Sequence, residues 1–464
     1  MTRAAAVRRS PTPGRFPGST LHSGLLVVLA AATCVLGGPS ALSAQSRPAP
    51  VTDAVATLQG GRPLPGPVYE TPEFSRAVRR GTRTRTGRPG AGYWVQHARY
   101  SIDARLEPDS GRVTGRESVW YLNRSPDTLS RVAVYLRQNV FAPGSPRLNA
   151  APVTGGVALS RVAVGTPERE LAPVSGSNPA MPINKAPSGM PGPGRFAVRS
   201  TVMWIGLPRA LPPGDSLRLA FAWSYRPAPA PSDGREGHDD GVWYMGYWYP
   251  QMAVYDDVDG WVTDPYLDGA EFYMDPADYD VRLTVPSSFV VGATGTLQDP
   301  ASVLPERVRD SLAVARKSGR VVHVVTRDDR RPGGTFAPGR PARTWHYVAR
   351  DVRDFAWGAS DTWAWDATRA LVGGSAAAAR ASTEGWTRAP AADSGSGAAP
   401  DTVVIHSFYR LTDAASAWRI GGARYTRDAV ERLSDYLWPY PWPHMTSMEG
   451  VLDGGGMEYP MMTL

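Results

Sequence analysis

From Tyr93 onward the chain is written largely in period two. Tyr100, Ile102, Ala104 and Leu106 alternate with Ser101, Asp103 and Arg105, which predicts a half-buried strand closed by the turn Pro108-Asp109-Ser110-Gly111. A second run, Val113 to Leu122, stops at Asn123-Arg124-Ser125-Pro126-Asp127, and Val132, Val134 and Leu136 then alternate again. Further strands are expected at Val157 to Val164, Ala197 to Trp204, Ser216 to Tyr225 and Tyr279 to Val285, with Pro212-Pro213-Gly214-Asp215 and Pro286 as punctuation. Short strands between turns, with no helical period among them, predict an antiparallel β-sandwich over 93–369. Most of Ala142 to Phe196 is too rich in Pro, Gly, Ser and Ala to bury much and reads as surface loop.

Beyond a low-complexity Ala/Gly/Ser linker, 370–400, the period becomes helical. Thr412-Asp413 suits an N-cap, and Trp418, Tyr425, Ala429, Leu433 and Tyr436 recur along one face, a stripe that reads as core. The proline-locked corner Trp438-Pro439-Tyr440-Pro441-Trp442-Pro443 ends the helix and aims the chain at its last segment. There Gly454-Gly455-Gly456 lets another chain approach closely, and Met457-Glu458-Tyr459 sets one carboxylate in an apolar, strand-prone run. Such a carboxylate stays ionised only with a cation opposite, an amine or a guanidinium, or else on a solvated edge strand.

Gly455-Gly456-Met457-Glu458-Tyr459 resembles the Gly-x-Met-Glu-Asn strand of the aminopeptidase N-like zinc metallopeptidases, the gluzincin family, with Tyr459 in place of the usual Asn. The resemblance implies that this strand runs along a cleft and pairs with a peptide substrate, Glu458 holding the free amino group. Tyr247-Trp248-Tyr249-Pro250-Gln251-Met252-Ala253-Val254-Tyr255-Asp256-Asp257, Gly260-Trp261, Glu271-Phe272-Tyr273 and Val352-Arg353-Asp354-Phe355-Ala356-Trp357 are similar to the amino-terminal sandwich of bacterial members. The fold it implies is mainly β: an antiparallel β-sandwich followed by an incomplete α+β, thermolysin-like catalytic domain over 401–464. The family's zinc motif, His-Glu-x-x-His, cannot be written from His22, His97, His238, His323, His346, His406 and His444. The expectation is therefore a fragment of a zinc metallopeptidase, inactive alone, with the zinc ligands and catalytic groups outside this chain.

Charge and leader add context. Arg3, Arg8, Arg9 and Arg15, the apolar run Leu25 to Leu36 and Ala41-Leu42-Ser43-Ala44 read as a signal peptide over 1–44, predicting export to the periplasm or the extracellular space. The run is too short for a transmembrane helix, and no later one is expected. The single cysteine, Cys34, lies inside the leader, so the mature chain can hold no disulfide. Residues 45–92 read as a basic Pro/Arg-rich linker, with Arg76 to Arg88 solvated. Leader and linker together carry more positive charge than the whole chain's formal +7, leaving the body near neutral and giving no support for nucleic-acid binding.

Within the body, Trp243 to Asp280 interleaves aromatic rings with carboxylates, which suits either the wall of a cleft or a sandwich core with acids on its wet face. Asp257-Val258-Asp259-Gly260 lacks the later ligands of a calcium loop. Arg353 and Asp354 read as a surface pair. Two function classes remain open: an aminopeptidase-like hydrolase acting on peptides, and a non-catalytic exported sandwich protein that binds peptides or a protein partner at the aromatic face and terminal edge. Carbohydrate binding on the aromatics is a weaker third.

Overall fold

Alternation along His97–Glu107 is realised residue for residue: Ala98, Tyr100, Ile102, Ala104 and Leu106 are buried while the residues between them face out. In this computed structural model the described residues are 69–177, 190–231, 235–269, 271, 273–337, 339, 341–373, 402–411, 417–451 and 456–464. The expected leader, most of the 370–400 linker, the Thr412-Asp413 cap and Gly454-Gly455 lie outside them.

An eight-stranded sheet runs in the order Thr296–Gln298, Arg343–Val352, Ala277–Val285, His97–Glu107, Arg112–Leu122, Ser216–Tyr225, Ala158–Val164, Arg169–Glu170. A five-stranded sheet built on Leu129–Tyr135 and Val202–Leu211 and a four-stranded sheet built on Val242–Met245 and Trp357–Ser360 share one apolar core with it. The protein is mainly β, as its alternation predicts. The eight-stranded sheet is mixed rather than purely antiparallel, since His97–Glu107 pairs parallel with Ala277–Val285, Tyr100 opposite Tyr279.

Three local expectations are corrected. The single strand expected over 197–204 is a hairpin, Arg195–Arg199 and Val202–Leu211, turned at Ser200, whose φ is 47°. The segment Arg76 to Arg88 is docked rather than solvated: helix α1 (Pro72–Arg79), capped by Thr71, buries Ala77, and Arg83 forms a two-pronged contact with the buried Asp257 at 2.7 to 3.0 Å. A 12-residue helix, α2 (Glu306–Lys317), interrupts the strands; its mostly polar sequence, with only Val308 and Ala315 buried, hides the helical period.

A second, six-stranded mixed sheet contains β1 (Val322–Val325), β2 (Trp363–Leu371), β3 (Thr402–Arg410), β4 (His444–Met448), β5 (Glu458–Tyr459) and β6 (Met462–Thr463), in the order β1-β2-β3-β4-β6-β5. It takes strands from both sides of the segment read as a linker. One face joins the sandwich core through Trp363, Trp365 and Phe408; the other carries helix α4 (Ala417–Tyr436) over Val403, Ile405 and Ala370. Gly422 allows this approach, because a Cβ there would lie 2.5 Å from the Ser407 hydroxyl. The helix therefore buries its small residues, Gly421, Ala423 and Ser434, together with Val430. The expected core stripe turns outward: Tyr425, Leu433 and Tyr436 are each more than half exposed.

Candidate functional site at the terminal strand edge

The chain's last described residues form a hairpin whose turn has Pro460 at its first position and Met461, with φ 63°, at its second, the pattern of a type II turn. Thr294 Oγ1 donates to Pro460 O at 2.9 Å and Thr446 N to Met461 O at 2.9 Å, fixing the turn to the sandwich on one side and to β4 on the other. Met457 and Leu464 exchange both backbone hydrogen bonds, at 2.9 and 3.2 Å. Glu458, opposite Thr463, thus occupies a non-hydrogen-bonded position toward β6. In an antiparallel ladder its N–H and C=O consequently face the other way, toward the outer edge of β5. Since β5 is the last strand of the sheet, that edge is open among the described residues.

Side chains alternate as they must. Met457 and Tyr459 are buried and Glu458 is exposed. Among the described residues the Glu458 carboxylate has no ion-pair partner, and it folds back over Gly456, where a Cβ would sit 3.0 Å from Oε1. Gly456 is thus a close-approach glycine. Of the residues expected at the site, Gly456, Met457, Glu458 and Tyr459 are brought together, and Gly455 lies outside the described residues.

Tyr459 anchors the strand to the aromatic stretch. Its ring meets Tyr247 edge-on with centroids 6.0 Å apart, in a slot floored by Gly246, where a Cβ would lie 2.2 Å from the Tyr459 hydroxyl and 2.6 Å from Arg235 O. Around the slot the structure gathers polar residues the sequence does not single out. Arg137 lies between the rings of Tyr135 (4.6 Å) and Tyr247 (4.3 Å) and donates to Gln251 Oε1. Arg235 pairs with Glu271 at 2.7 Å. Gln138 Nε2 donates to Tyr247 O at 3.2 Å. Glu236 is wholly buried, and burial pushes its carboxyl up to about 8 against the opposing pull of Gln138 and Arg235.

Asp354, expected at the surface, is buried instead. It accepts from Tyr249 Oη at 2.7 Å and from Phe355 N at 2.8 Å, and burial raises it to about 6. The aromatic stretch supplies the Tyr249 hydroxyl and the neighbouring Phe355 its amide, so the acid can enter the core with partners. Trp243, Tyr244, Tyr247, Trp248, Tyr249 and Tyr266 are core residues and follow the core reading, whereas Tyr255 and Trp261 are half-buried and Tyr273 is exposed.

No sequence profile of a known family and no curated protein matches the chain. Solved structures similar to it include the M1 zinc metallopeptidase from Deinococcus radiodurans, at 15% identity and TM-score 0.40 over 81% of this chain and 61% of that one. A mutant of that enzyme bound to a Tyr-Ser-Ala substrate gives 16% identity and TM-score 0.41 over the same shares. A two-domain M1 zinc metallopeptidase mutant bound to L-tryptophan gives 15% and 0.40, over 81% of this chain and 62% of that one. The chain thus spans less than two thirds of the length of these structures.

The described side chains do not fit a zinc site. No three His, Cys, Asp or Glu side chains gather among the described residues. Two imidazoles that do approach each other, His406 and His444 with centroids 5.7 Å apart, are already committed elsewhere. His444 Nε2 meets Gly295 O at 2.7 Å, and His406 Nδ1 accepts from Trp365 Nε1 at 3.2 Å. Burial holds His444 down to about 4 and His406 well below the usual imidazole range. Beside α4 an apolar groove of about 690 Å3, lined by Trp418, Tyr425, Leu433, Trp438, Trp442 and Thr463, carries almost no polar atoms and offers no chemistry of its own.

Proposed function

We propose that this chain is the substrate-holding part of an exported aminopeptidase-like hydrolase: β5 receives a peptide as an added strand, and Glu458 holds its free amino group. The observation that carries the reading is the direction of Glu458, whose backbone N–H and C=O point to an open sheet edge while its carboxylate stands exposed beside it. A peptide laid along that edge finds two main-chain hydrogen bonds and, at its amino end, an anion for its ammonium group. The resemblance of Gly455-Gly456-Met457-Glu458-Tyr459 to the gluzincin strand supports the same assignment. Hydrolysis on zinc would rest on groups that the described residues do not bring together, and no bond-breaking step is assigned to them. Export rests on the residue order of 1–44.

The test uses the 464-residue chain and a tripeptide with its amino group free or acetylated, titrated by calorimetry. The free peptide should bind at least tenfold more tightly, a difference of about 1.4 kcal/mol, and Glu458→Gln should abolish the difference. Equal affinity for both peptides would refute the role of Glu458, and would leave the edge as the peptide-binding surface of a non-catalytic protein.

A further inference from the structure

A depression of about 240 Å3 opens where β1, the short helix α3 (Arg327–Arg330), β2, β3 and the first turn of α4 come together. The function proposed above does not use it. At its base lies Asp366, 2% exposed. Burying a carboxylate this deeply is costly unless it is bonded, and both its oxygens are engaged. Oδ1 faces His323 Nδ1 at 2.7 Å, and Oδ2 accepts the Tyr409 hydroxyl at 3.0 Å.

The imidazole itself stays outside: 61% of the His323 side chain is exposed. A buried carboxylate beneath a surface imidazole fixes the ring's orientation, holds Nδ1 inward and turns Nε2 outward, where the imidazolium form has an N–H to donate to an anion. Two guanidinium groups share the rim. Arg327 is tethered through Nη2 to Leu411 O at 3.0 Å, and Arg419 reaches in from α4; both are exposed residues. Asp328, also on the lining, pairs with Arg331 at 2.9 Å.

Three cation-forming groups from three separate elements disfavour a metal ion or an apolar guest. A planar carboxylate is satisfied by a single guanidinium fork, whereas a tetrahedral oxyanion offers acceptors in several directions at once. We propose that the His323–Arg327–Arg419 depression binds a phosphoryl group, either inorganic phosphate or the head of a phosphate monoester, with Asp366 and Tyr409 as positioning residues for His323.

The experiment titrates the intact chain with inorganic phosphate, glycerol phosphate and acetate by calorimetry at constant ionic strength. Saturable 1:1 phosphate binding is expected, weakened at least tenfold in His323→Ala and in Arg327→Gln. Arg327→Gln lies at an exposed position and should unfold at the parental temperature, so it carries the test even if His323→Ala, which removes a partner of the buried Asp366, unfolds earlier. If glycerol phosphate binds as well, the ligand is a monoester; if only inorganic phosphate binds, the site takes the free ion. Absence of saturation, equally tight acetate, or unchanged phosphate affinity in both variants would overturn the assignment.

Discussion

Gly246→Ala tests whether Tyr459 holds the candidate strand in place. The added methyl would sit 2.2 Å from the Tyr459 hydroxyl, 2.7 Å from its Cζ and 2.6 Å from Arg235 O. No real Cβ tolerates such distances, and Arg235 O is backbone that also accepts the Gly246 N–H at 2.8 Å. The ring must therefore withdraw. If it only shifts, the cost is that of overpacking, about 1–3 kcal/mol. If it leaves the slot, roughly 150 Å2 of aromatic surface at about 25 cal/mol per Å2 is exposed, about 4 kcal/mol.

That loss falls on a hairpin with few other ties, chiefly Met457, Met461 and Met462 in the core and the Thr294 and Thr446 hydrogen bonds. Hydrogen exchange at 456–464 should accelerate far more than exchange in the sandwich strand His97–Glu107, and free-amine peptide binding should fall with it. Tyr459→Phe should retain parental exchange, because the hydroxyl is buried with no hydrogen-bond partner among the described residues. Parental exchange at 456–464 in Gly246→Ala would refute the slot as the anchor.

Three further outcomes follow from the same geometry. Glu236 is held neutral in the folded protein up to about 8 against an ordinary 4.5, so its stabilising contribution is complete below 4.5 and is lost as pH rises toward 8. At about 1.4 kcal/mol per unit the loss is at most about 5 kcal/mol, and Glu236→Gln should flatten it in urea unfolding measured at both ends of that range. His444 has the opposite sign: held to about 4 against 6.5, it stabilises fully above 6.5 and loses that contribution as pH falls toward 4. That acid loss, up to about 3 kcal/mol, should be absent from the unfolding profile of His444→Gln. Gly422→Ala should destabilise by about 1–3 kcal/mol despite the higher helix propensity of alanine, through the 2.5 Å clash with Ser407 Oγ. Adding Ser407→Ala should restore most of the loss in thermal unfolding, a coupling that independent sites would not show.

The fold was legible wherever one face of a strand meets water. His97–Glu107, Arg112–Leu122 and Ala277–Val285 alternate because the sheet buries alternate residues, and their bounds lie close to the sequence reading. Legibility fails where both faces are covered or where contact is made by small residues. In Leu129–Tyr135 the strand is read from Val132 and Val134, but the second apolar layer that buries Ala133 and Tyr135 on its other face is not. In α4 the large apolar residues look like the buried face, yet Gly422 and Val430 meet the sheet, because a residue without a side chain lets the helix come close to Ser407. Period reports where the apolar bulk lies, and bulk is not always what is buried.

The candidate site divides along the same line. Glu458 announces itself as a charge in an apolar run, and Gly456 as a glycine before it. The slot that positions them is scattered over Arg137, Arg235, Gly246 and Tyr247, which no local pattern joins. Glu236 and Asp354 are the telling cases, since as isolated acids in sequence they belong at the surface. Asp354 is buried because the Tyr249 hydroxyl and the Phe355 amide supply hydrogen bonds, and Glu236 because burial keeps its carboxyl neutral, conditions set by tertiary proximity alone. The strand's backbone direction was equally hidden, since it depends on which residue of the hairpin pairs with Leu464. A register slip of one residue would turn the Glu458 amide inward to β6 and send its carboxylate toward the Tyr247 slot, removing both halves of the proposed contact at once. Peptide capture at this edge therefore depends on the turn at Pro460-Met461 as much as on Glu458 itself.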